Sequence, residues 1–162
     1  MGENPAGSEI IVAVFPARED RVSLDQIFAS SNWNLHLLAG FQEARTALGT
    51  LPVGVVISDA RLSDGHCWKD LLHEIQGIVN PPPLIVVDRL ADEALWAEVL
   101  NLGAYDLLAK PFHAKEVLHA VTMAYSFWRR EREGASTPAK PPQSAHDGSR
   151  PDQQSRAASG DP

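Results

Sequence analysis

Short apolar runs alternate along most of the chain with segments whose apolar residues recur at helical spacing. Five runs have the composition of strands, and three of them are apolar throughout, which is typical of strands covered on both faces in a parallel sheet. The predicted strands are Glu9–Phe15, Trp33–Leu38, Gly54–Ser58, Pro83–Val87 and Tyr105–Ala109.

The segments that follow these runs place apolar residues on one face of five predicted helices. The faces are formed by Leu24, Ile27 and Phe28; by Phe41, Ala44 and Leu48; by Trp68, Leu71, Leu72, Ile75 and Val79; by Ala91, Leu95, Val99 and Leu102; and by Val117, Val121, Ala124 and Trp128. Gly103 supplies a stop after the fourth helix. Strands joined by helices predict an α/β fold, with a parallel sheet, right-handed crossovers and helices on both faces.

The composition of the chain changes near Gly134. Residues 134–162 contain no Ile, Leu, Val, Phe, Trp or Tyr, so they cannot bury enough apolar surface to offset the entropy of ordering. We predict one folded domain over residues 9–130, a disordered N-terminus over 1–8 and a disordered Pro/Ser/Gly/Gln-rich tail over 131–162. A tethering or docking role for the tail stays open.

Charge and cysteine content exclude several classes of function. The net charge of −7 argues against nucleic-acid binding, which needs a basic face. Cys67 is the sole cysteine of the sequence, so no internal disulfide forms and a cytoplasmic location is expected. No stretch approaches the roughly 18–20 apolar residues that span a bilayer, and we expect no direct membrane contact.

Charged residues follow the predicted strands at the end where an open parallel sheet forms its functional crevice. Asp59 comes directly after the third strand and Lys110 directly after the fifth, so we expect both to face one pocket. Such a pair is either a structural ion pair or a nucleophile beside a cation that stabilises a transferred phosphoryl group.

Two stretches of the chain resemble receiver domains of two-component response regulators. "VVISDARLSDG" (Val55–Gly65) resembles the family's third strand and the loop behind it, with Asp59 in the phosphoacceptor position. "GAYDLLAKPF" (Gly103–Phe112) resembles the fifth strand and the Lys-Pro-Phe signature, with Lys110 as the lysine. The resemblance implies a doubly wound five-stranded parallel sheet of order 2-1-3-4-5, a flavodoxin-like three-layer sandwich.

The resemblance also implies the chemistry of the site. A histidine kinase would phosphorylate Asp59, Mg²⁺ would hold the carboxylate and phosphoryl oxygens together, and Lys110 would pair with the phosphoryl group. In the family, a Thr or Ser after strand 4 and an aromatic on strand 5 then reshape a face made of helix 4, strand 5 and helix 5. The resemblance implies that partners or a second copy of the chain bind at this face, and we expect a histidine kinase or another signalling protein among the partners of the chain. We expect a stand-alone phosphorelay module that acts by protein contacts and is no enzyme beyond phosphoryl acceptance.

The sequence departs from the family at three parts of this pocket. The family carries two acids after strand 1, where this chain has Ala13, Val14 and Phe15, whose side chains cannot supply the oxygen ligands that Mg²⁺ requires. Asp88 stands at the Thr/Ser position, and Leu107 stands at the position of the switch aromatic. We therefore expect a degenerate metal pocket with impaired Mg²⁺ binding.

Three acids are candidates to replace the missing ligands beside Asp59. Glu19 and Asp20, at the start of the first helix, could reach in, although acids there more often only favour the helix N-terminus. Asp88 could be a metal ligand, a permanent mimic of the added negative charge, or one half of a simple ion pair with a neighbouring cation.

Two interpretations of function follow. The chain is either a phosphorylatable receiver with a rewired pocket or a receiver-like interaction module independent of phosphate, and the three substitutions favour the second mechanism. A flavin-type small-ligand binder of the same architecture is less favoured, because it needs a glycine-containing phosphate loop after strand 1 and "FPARED" has no glycine.

Aromatic residues are candidates for the partner face because interfaces are enriched in them. Trp96 lies off the core stripe of the fourth helix. Tyr105 is expected on the same side of the sheet as Leu107, since the two are separated by two positions. Trp68 and Trp128 each continue an apolar helix face and are expected in the core.

Overall fold

The computed structural model describes residues 9–63 and 65–133, in which strands and helices alternate as predicted. The elements are β1 (Ile10–Val14), α1 (Arg18–Phe28), β2 (Asn34–Leu38), α2 (Phe41–Thr50), β3 (Val53–Asp59), α3 (Trp68–Gln76), β4 (Leu84–Asp88), α4 (Glu93–Leu102), β5 (Asp106–Ala109) and α5 (Ala114–Glu133). The α5 helix continues three residues past the predicted end of the domain. The predictions for residues 1–8 and 134–162 lie outside the described residues.

The strands form one parallel sheet in the order β2-β1-β3-β4-β5, which confirms the predicted doubly wound fold. Asp59 pairs with Val87 across β3 and β4, and Asp88 pairs with Ala109 across β4 and β5. Since all strands run in the same direction, the carboxyl ends of β3, β4 and β5 meet at one rim of the sheet.

Alternate residues of the strands point into two separate cores, one on each face of the sheet. The α2, α3 and α4 helices cover one face, and α1 and α5 cover the other. The first core takes Val12, Val14, Val56 and Val86 from the strands, and the second takes Ile11, Ala13, Val55 and Ile57. Burial on both faces explains why these strands are apolar throughout instead of alternating.

Two residues assigned to apolar helix faces lie in the solvent instead. Val79 is 86% exposed, because α3 ends at Gln76 and Val79 falls in the connection to β4. Leu102 is exposed at the last position of α4, where Gly103 ends the helix with φ +110°. The left-handed conformation of Gly103 confirms it as the predicted stop.

The two tryptophans expected in the core differ in burial. Trp68 is buried against the α2–α4 side of the sheet, as predicted. Trp128 is only half-buried, since it lies near the end of α5, where its indole Nε1 donates a hydrogen bond to Asn80 O over 3.1 Å. None of the described helices combines the length and apolarity needed to cross a membrane.

Candidate functional site

The ammonium of Lys110 lies between two carboxylates at the carboxyl rim of the sheet. Its Nζ donates hydrogen bonds to Asp59 Oδ2 over 3.0 Å and to Asp20 Oδ2 over 2.8 Å. Each of the three side chains exposes only 13–14% of its surface. The expected meeting of Asp59 and Lys110 in one crevice is therefore present in the structure, and a second acid joins it.

Asp59 is the last residue of β3, so the strand itself carries the carboxylate to the rim. Its second oxygen, Oδ1, accepts a hydrogen bond of 3.4 Å from the backbone N–H of Arg61, in the loop that leaves the strand. The main-chain oxygen of Asp59 accepts from Ser58 Oγ over 2.8 Å. Both carboxylate oxygens thus have donors, which fixes the orientation of the group.

Asp20 reaches the site from the first turn of α1. Glu19, the neighbouring acid, is exposed. Consecutive helical residues point in directions about 100° apart, so only one of two adjacent acids can face the crevice. The interpretation that both acids only favour the helix N-terminus is wrong for Asp20.

Phe15, the residue that follows β1, borders the site from below the sheet rim and belongs to the stretch predicted to lack acids. Its side chain is fully buried and packs edge-on against Phe112, with ring centroids 5.6 Å apart. Lys110 Nζ lies 5.8 Å from the centroid of the Phe15 ring, within the range of a cation–π interaction. An aromatic ring thus borders the ammonium at the end of β1.

The charge of Lys110 is maintained by its partners. Burial alone would lower its pKa, but the hydrogen bonds and negative charges of Asp20 and Asp59 outweigh burial and raise the pKa above its ordinary value. The ammonium is consequently protonated at neutral pH. One cation faces two anions, so the cluster retains one negative charge in excess.

Asp88 ends β4 at the same rim but makes contacts of a different kind. Its Oδ2 accepts a hydrogen bond of 3.2 Å from the backbone N–H of Leu90, and its main-chain oxygen accepts from the backbone N–H of Lys110 over 3.2 Å. Within the described part of the chain its carboxylate forms no ion pair. The interpretation of Asp88 as a simple ion-pair partner is therefore wrong, because the side chain turns back to its own loop.

Leu107, which is predicted from the sequence to stand at the position of the switch aromatic, is 8% exposed. It packs in the core between the sheet and the α2–α4 helices. An aliphatic side chain in this place has no ring or hydroxyl with which to follow a change at Asp59.

The two aromatic residues proposed for a partner face are largely covered. Tyr105 is 7% exposed and packs against Phe127 in the core formed with α1 and α5, on the opposite side of the sheet from Leu107. The expectation that both share one side is wrong, because β5 begins at Asp106 and strand alternation does not extend to Tyr105. Trp96 is half-buried against the other core.

The acids of the site are too few to enclose a metal ion by themselves but can supply part of the ligands of Mg²⁺. The described residues contain no group of three or more His, Cys, Asp and Glu side chains able to hold a metal ion. Asp20 and Asp59 nevertheless converge on one ammonium, and Mg²⁺ commonly takes one or two protein carboxylates and completes its octahedron with water and phosphate oxygens. A two-carboxylate donor set fits such an ion.

Comparison with known proteins identifies the class of protein that this fold and site define. Residues 18–122 match the family described as the response regulator receiver domain, and the chain belongs to that family. The family and fold predicted from the sequence are thereby confirmed. This membership also favours the receiver interpretation over the flavin-type binder.

Two relatives carry the sequence similarity. The chain is 33% identical over 92 residues to the transcriptional regulatory protein FixJ of Bradyrhizobium diazoefficiens, covering 57% of this chain and 44% of the relative. It is 28% identical over 107 residues to the C4-dicarboxylate transport transcriptional regulatory protein DctD of Rhizobium meliloti, covering 66% of this chain and 23% of the relative. The chain thus spans less than half the length of either relative.

Solved structures show the same fold. The signal receiver domain of an HD domain-containing protein from Pseudomonas fluorescens Pf-5 superimposes with a TM-score of 0.69 at 26% identity, covering 76% of this chain and 98% of that one. Full-length FixJ from B. japonicum gives a TM-score of 0.65 at 28% identity, covering 79% and 61%. A CheY-like receiver from Methanospirillum hungatei JF-1, with a TM-score of 0.67 and 20% identity over 78% of this chain and 98% of that one, supports the fold.

Proposed function

We propose that this receiver domain accepts a phosphoryl group on Asp59 and acts in two-component signalling through contacts with other proteins. The observation that carries the proposal is the pair of hydrogen bonds from Lys110 Nζ to Asp59 and Asp20 at the carboxyl rim. A nucleophilic carboxylate, a permanent cation and a second acid stand together there, in a largely enclosed crevice.

The proposed reaction is a transfer to oxygen. A carboxylate oxygen of Asp59 attacks the phosphorus of a phosphorylated histidine on a kinase, an O–P bond forms, and the N–P bond breaks with its electron pair left on the histidine nitrogen. Lys110 pairs with the phosphoryl oxygens, and its raised pKa keeps it charged for that purpose. The acyl phosphate carries roughly −1.5 to −2 charges at neutral pH, in place of the single charge of the carboxylate, and the ammonium partly balances this charge.

Asp20 supplies, from α1, one of the two acids that the end of β1 lacks. With Asp59 it would hold Mg²⁺, and the bound ion would neutralise the charge shared by the carboxylate and phosphoryl oxygens. Without a ligand, Asp20 holds Lys110 beside the acceptor. The substitution thus moves an acid from a strand end to a helix without removing it from the crevice.

The residues that would couple phosphorylation of Asp59 to a change in the rest of the domain differ from the family pattern. Leu107 is a buried aliphatic residue, and the carboxylate of Asp88 would repel a phosphoryl group where a Thr or Ser would bond it. These two residues favour a second candidate function, in which the domain binds its partners independently of phosphate. The proposed partners under either candidate are signalling proteins of the cytoplasm, a histidine kinase among them.

Acyl phosphate labelling separates the two candidates. The full 162-residue chain is incubated with a small acyl phosphate and Mg²⁺, and its intact mass is measured beside Asp59→Asn and, as a matched control on an exposed site, Asp25→Asn. Gain of one phosphoryl group by the wild type and Asp25→Asn but not by Asp59→Asn is the expected result. A wild type that stays unlabelled contradicts phosphoryl acceptance and favours the phosphate-independent module.

A further inference from the structure

The connection between β1 and α1 is tied down by a side chain that the sequence pattern does not single out. One nitrogen of the Arg21 guanidinium, Nη1, donates to Phe15 O over 2.7 Å and to Pro16 O over 2.9 Å. The side chain therefore folds back across the start of its own helix. Among the residues that the structure describes, its hydrogen bonds go to the main chain and not to a carboxylate.

The start of α1 has little else to fix it. Ala17 at the N-cap provides no side-chain hydrogen bond, and the first turn is closed by backbone bonds from Asp20 N and Arg21 N to Ala17 O, at 3.2 and 3.3 Å. A helix whose N-cap is an alanine lacks the usual side-chain acceptor for its first N–H groups. Besides the packing of Phe15 and the bond between Asp20 and Lys110, the two bonds from Arg21 are a side-chain restraint that acts directly on the main chain of this connection.

This connection bears two groups of the site. Phe15, whose carbonyl Arg21 holds, places its ring below Lys110, and Asp20, the residue before Arg21, places its carboxylate on the same ammonium. A hydrogen bond between carboxylate and ammonium depends steeply on distance and angle. A small shift of the connection would therefore loosen the contact between Asp20 and Lys110.

We propose that Arg21 is a positioning residue, which fixes the β1–α1 connection through the carbonyl groups of Phe15 and Pro16 and thereby aims Asp20 at Lys110. The importance of this positioning role for phosphoryl transfer rests on the proposed function. Arginine suits the task because its planar, permanently charged fork presents donors in fixed directions, whereas lysine is a point charge on a flexible stem.

The test compares full-length variants by two measurements. The first is the exchange with water of the Lys110 ammonium protons, followed by NMR without metal or phosphate. The second is the affinity for Mg²⁺, followed by amide shifts around Asp59. The variants are Arg21→Gln, Arg21→Lys, Asp20→Asn and the double variant, with Arg18→Gln as the control, since Arg18 is an exposed arginine of the same helix turn.

Arg21→Gln is expected to accelerate ammonium exchange and to weaken Mg²⁺ binding by about 3- to 10-fold, which corresponds to the loss of an ordinary hydrogen bond. Arg18→Gln should match the wild type. In the Asp20→Asn background, Arg21→Gln should add less than about a twofold effect, because the group that it positions is already gone. A residue that only stabilises the fold would lower the unfolding free energy without this dependence on Asp20.

Two results would overturn the proposal: exchange and affinity in folded Arg21→Gln equal to those of Arg18→Gln, or equal effects of Arg21→Gln with and without Asp20. If Arg21→Gln does not fold, the same comparison is made with Arg21→Lys, which keeps the charge. A wild type that binds no Mg²⁺ and gains no phosphoryl group contradicts the proposed function, while faster ammonium exchange in Arg21→Gln would still support the positioning role.

Discussion

The carboxylate of Asp20 lies 2.8 Å from Lys110 Nζ, although the two residues are 90 positions apart in the sequence. The same ammonium bonds Asp59, 51 positions away. One cation thus joins the first turn of α1 to the carboxyl ends of β3 and β5. The effects of substitutions at these three residues should be coupled, because the side chains share a single, largely enclosed crevice.

Removal of the shared cation should destabilise the fold. Lys110→Met leaves two neighbouring carboxylates without their partner, so we expect the free energy of unfolding to fall by about 1–3 kcal/mol. Urea denaturation at neutral pH measures this loss, with the exposed Lys115→Met as the control. Adding Asp20→Asn to Lys110→Met should recover part of the stability, because one of the two repelling charges is removed. Equal denaturation midpoints for Lys110→Met and Lys115→Met would contradict the account.

Leu107 should act as a core residue and not as a switch. Leu107→Ala removes buried methyl groups from the α2–α4 side, and such truncations cost about 2–5 kcal/mol. Val79→Ala, at a residue that is 86% exposed, should change stability by no more than about 0.5 kcal/mol. Phosphoryl uptake per folded molecule should stay the same in both variants. A Leu107→Ala variant of normal stability but altered uptake would show instead that this position reports on the site.

Asp88 should oppose anion binding at the site. Asp88→Asn removes the negative charge but keeps an oxygen that can accept from Leu90 N, so the loop should be retained. We expect the affinity for beryllium fluoride, measured by NMR in the presence of Mg²⁺, to rise by about 3- to 10-fold. A change of this size is expected when one partly screened negative charge is removed from the neighbourhood of an anionic ligand. Glu93→Gln, at an exposed acid of α4, is the control. Weaker binding by Asp88→Asn would indicate that Asp88 acts as a ligand.

Because of Tyr105, the stability of the fold should depend on pH in the alkaline range. Burial, aided by the negative charge of Asp106, raises the pKa of the Tyr105 phenol above its ordinary value of 10.0. Because the folded-state pKa lies above the unfolded one, the stability linked to this group is complete below about pH 10 and is lost as the pH rises through the folded-state pKa. The free energy of unfolding should thus fall more steeply above pH 10 in the wild type than in Tyr105→Phe. Parallel pH profiles would contradict this assignment.

The strand order is implied by the family resemblance alone. The parallel sheet and the approach of Asp59 to Lys110 are accessible from the residues themselves for a common physical reason. Both depend on the backbone: parallel strands end at one rim, and the residue after each strand lies there whatever its rotamer. Asp20 is accessible only as one of three candidate acids, beside Glu19 and Asp88, because the direction of a first-turn side chain depends on how the chain enters the helix. At that entry Arg21 contacts the carbonyl groups of Phe15 and Pro16, and such contacts leave no pattern in the sequence.

The errors of sequence interpretation fall at the ends of elements. Tyr105 was assigned to the wrong side of the sheet since β5 starts one residue later. Val79 was assigned to a helix that ends at Gln76. Periodicity holds only inside a regular element, so a residue one or two positions outside it is oriented by the loop and its tertiary contacts.

The most direct test of the account is a beryllium fluoride titration of the full chain in the presence of Mg²⁺, comparing the wild type with Asp20→Asn and Glu19→Gln. We expect saturable binding by the wild type and by Glu19→Gln. Binding by Asp20→Asn should be weaker by about tenfold or more, as is usual when a group that holds or orients a metal ion is lost. A wild type that does not respond at millimolar Mg²⁺, or an Asp20→Asn variant that binds as well as the wild type, would contradict it.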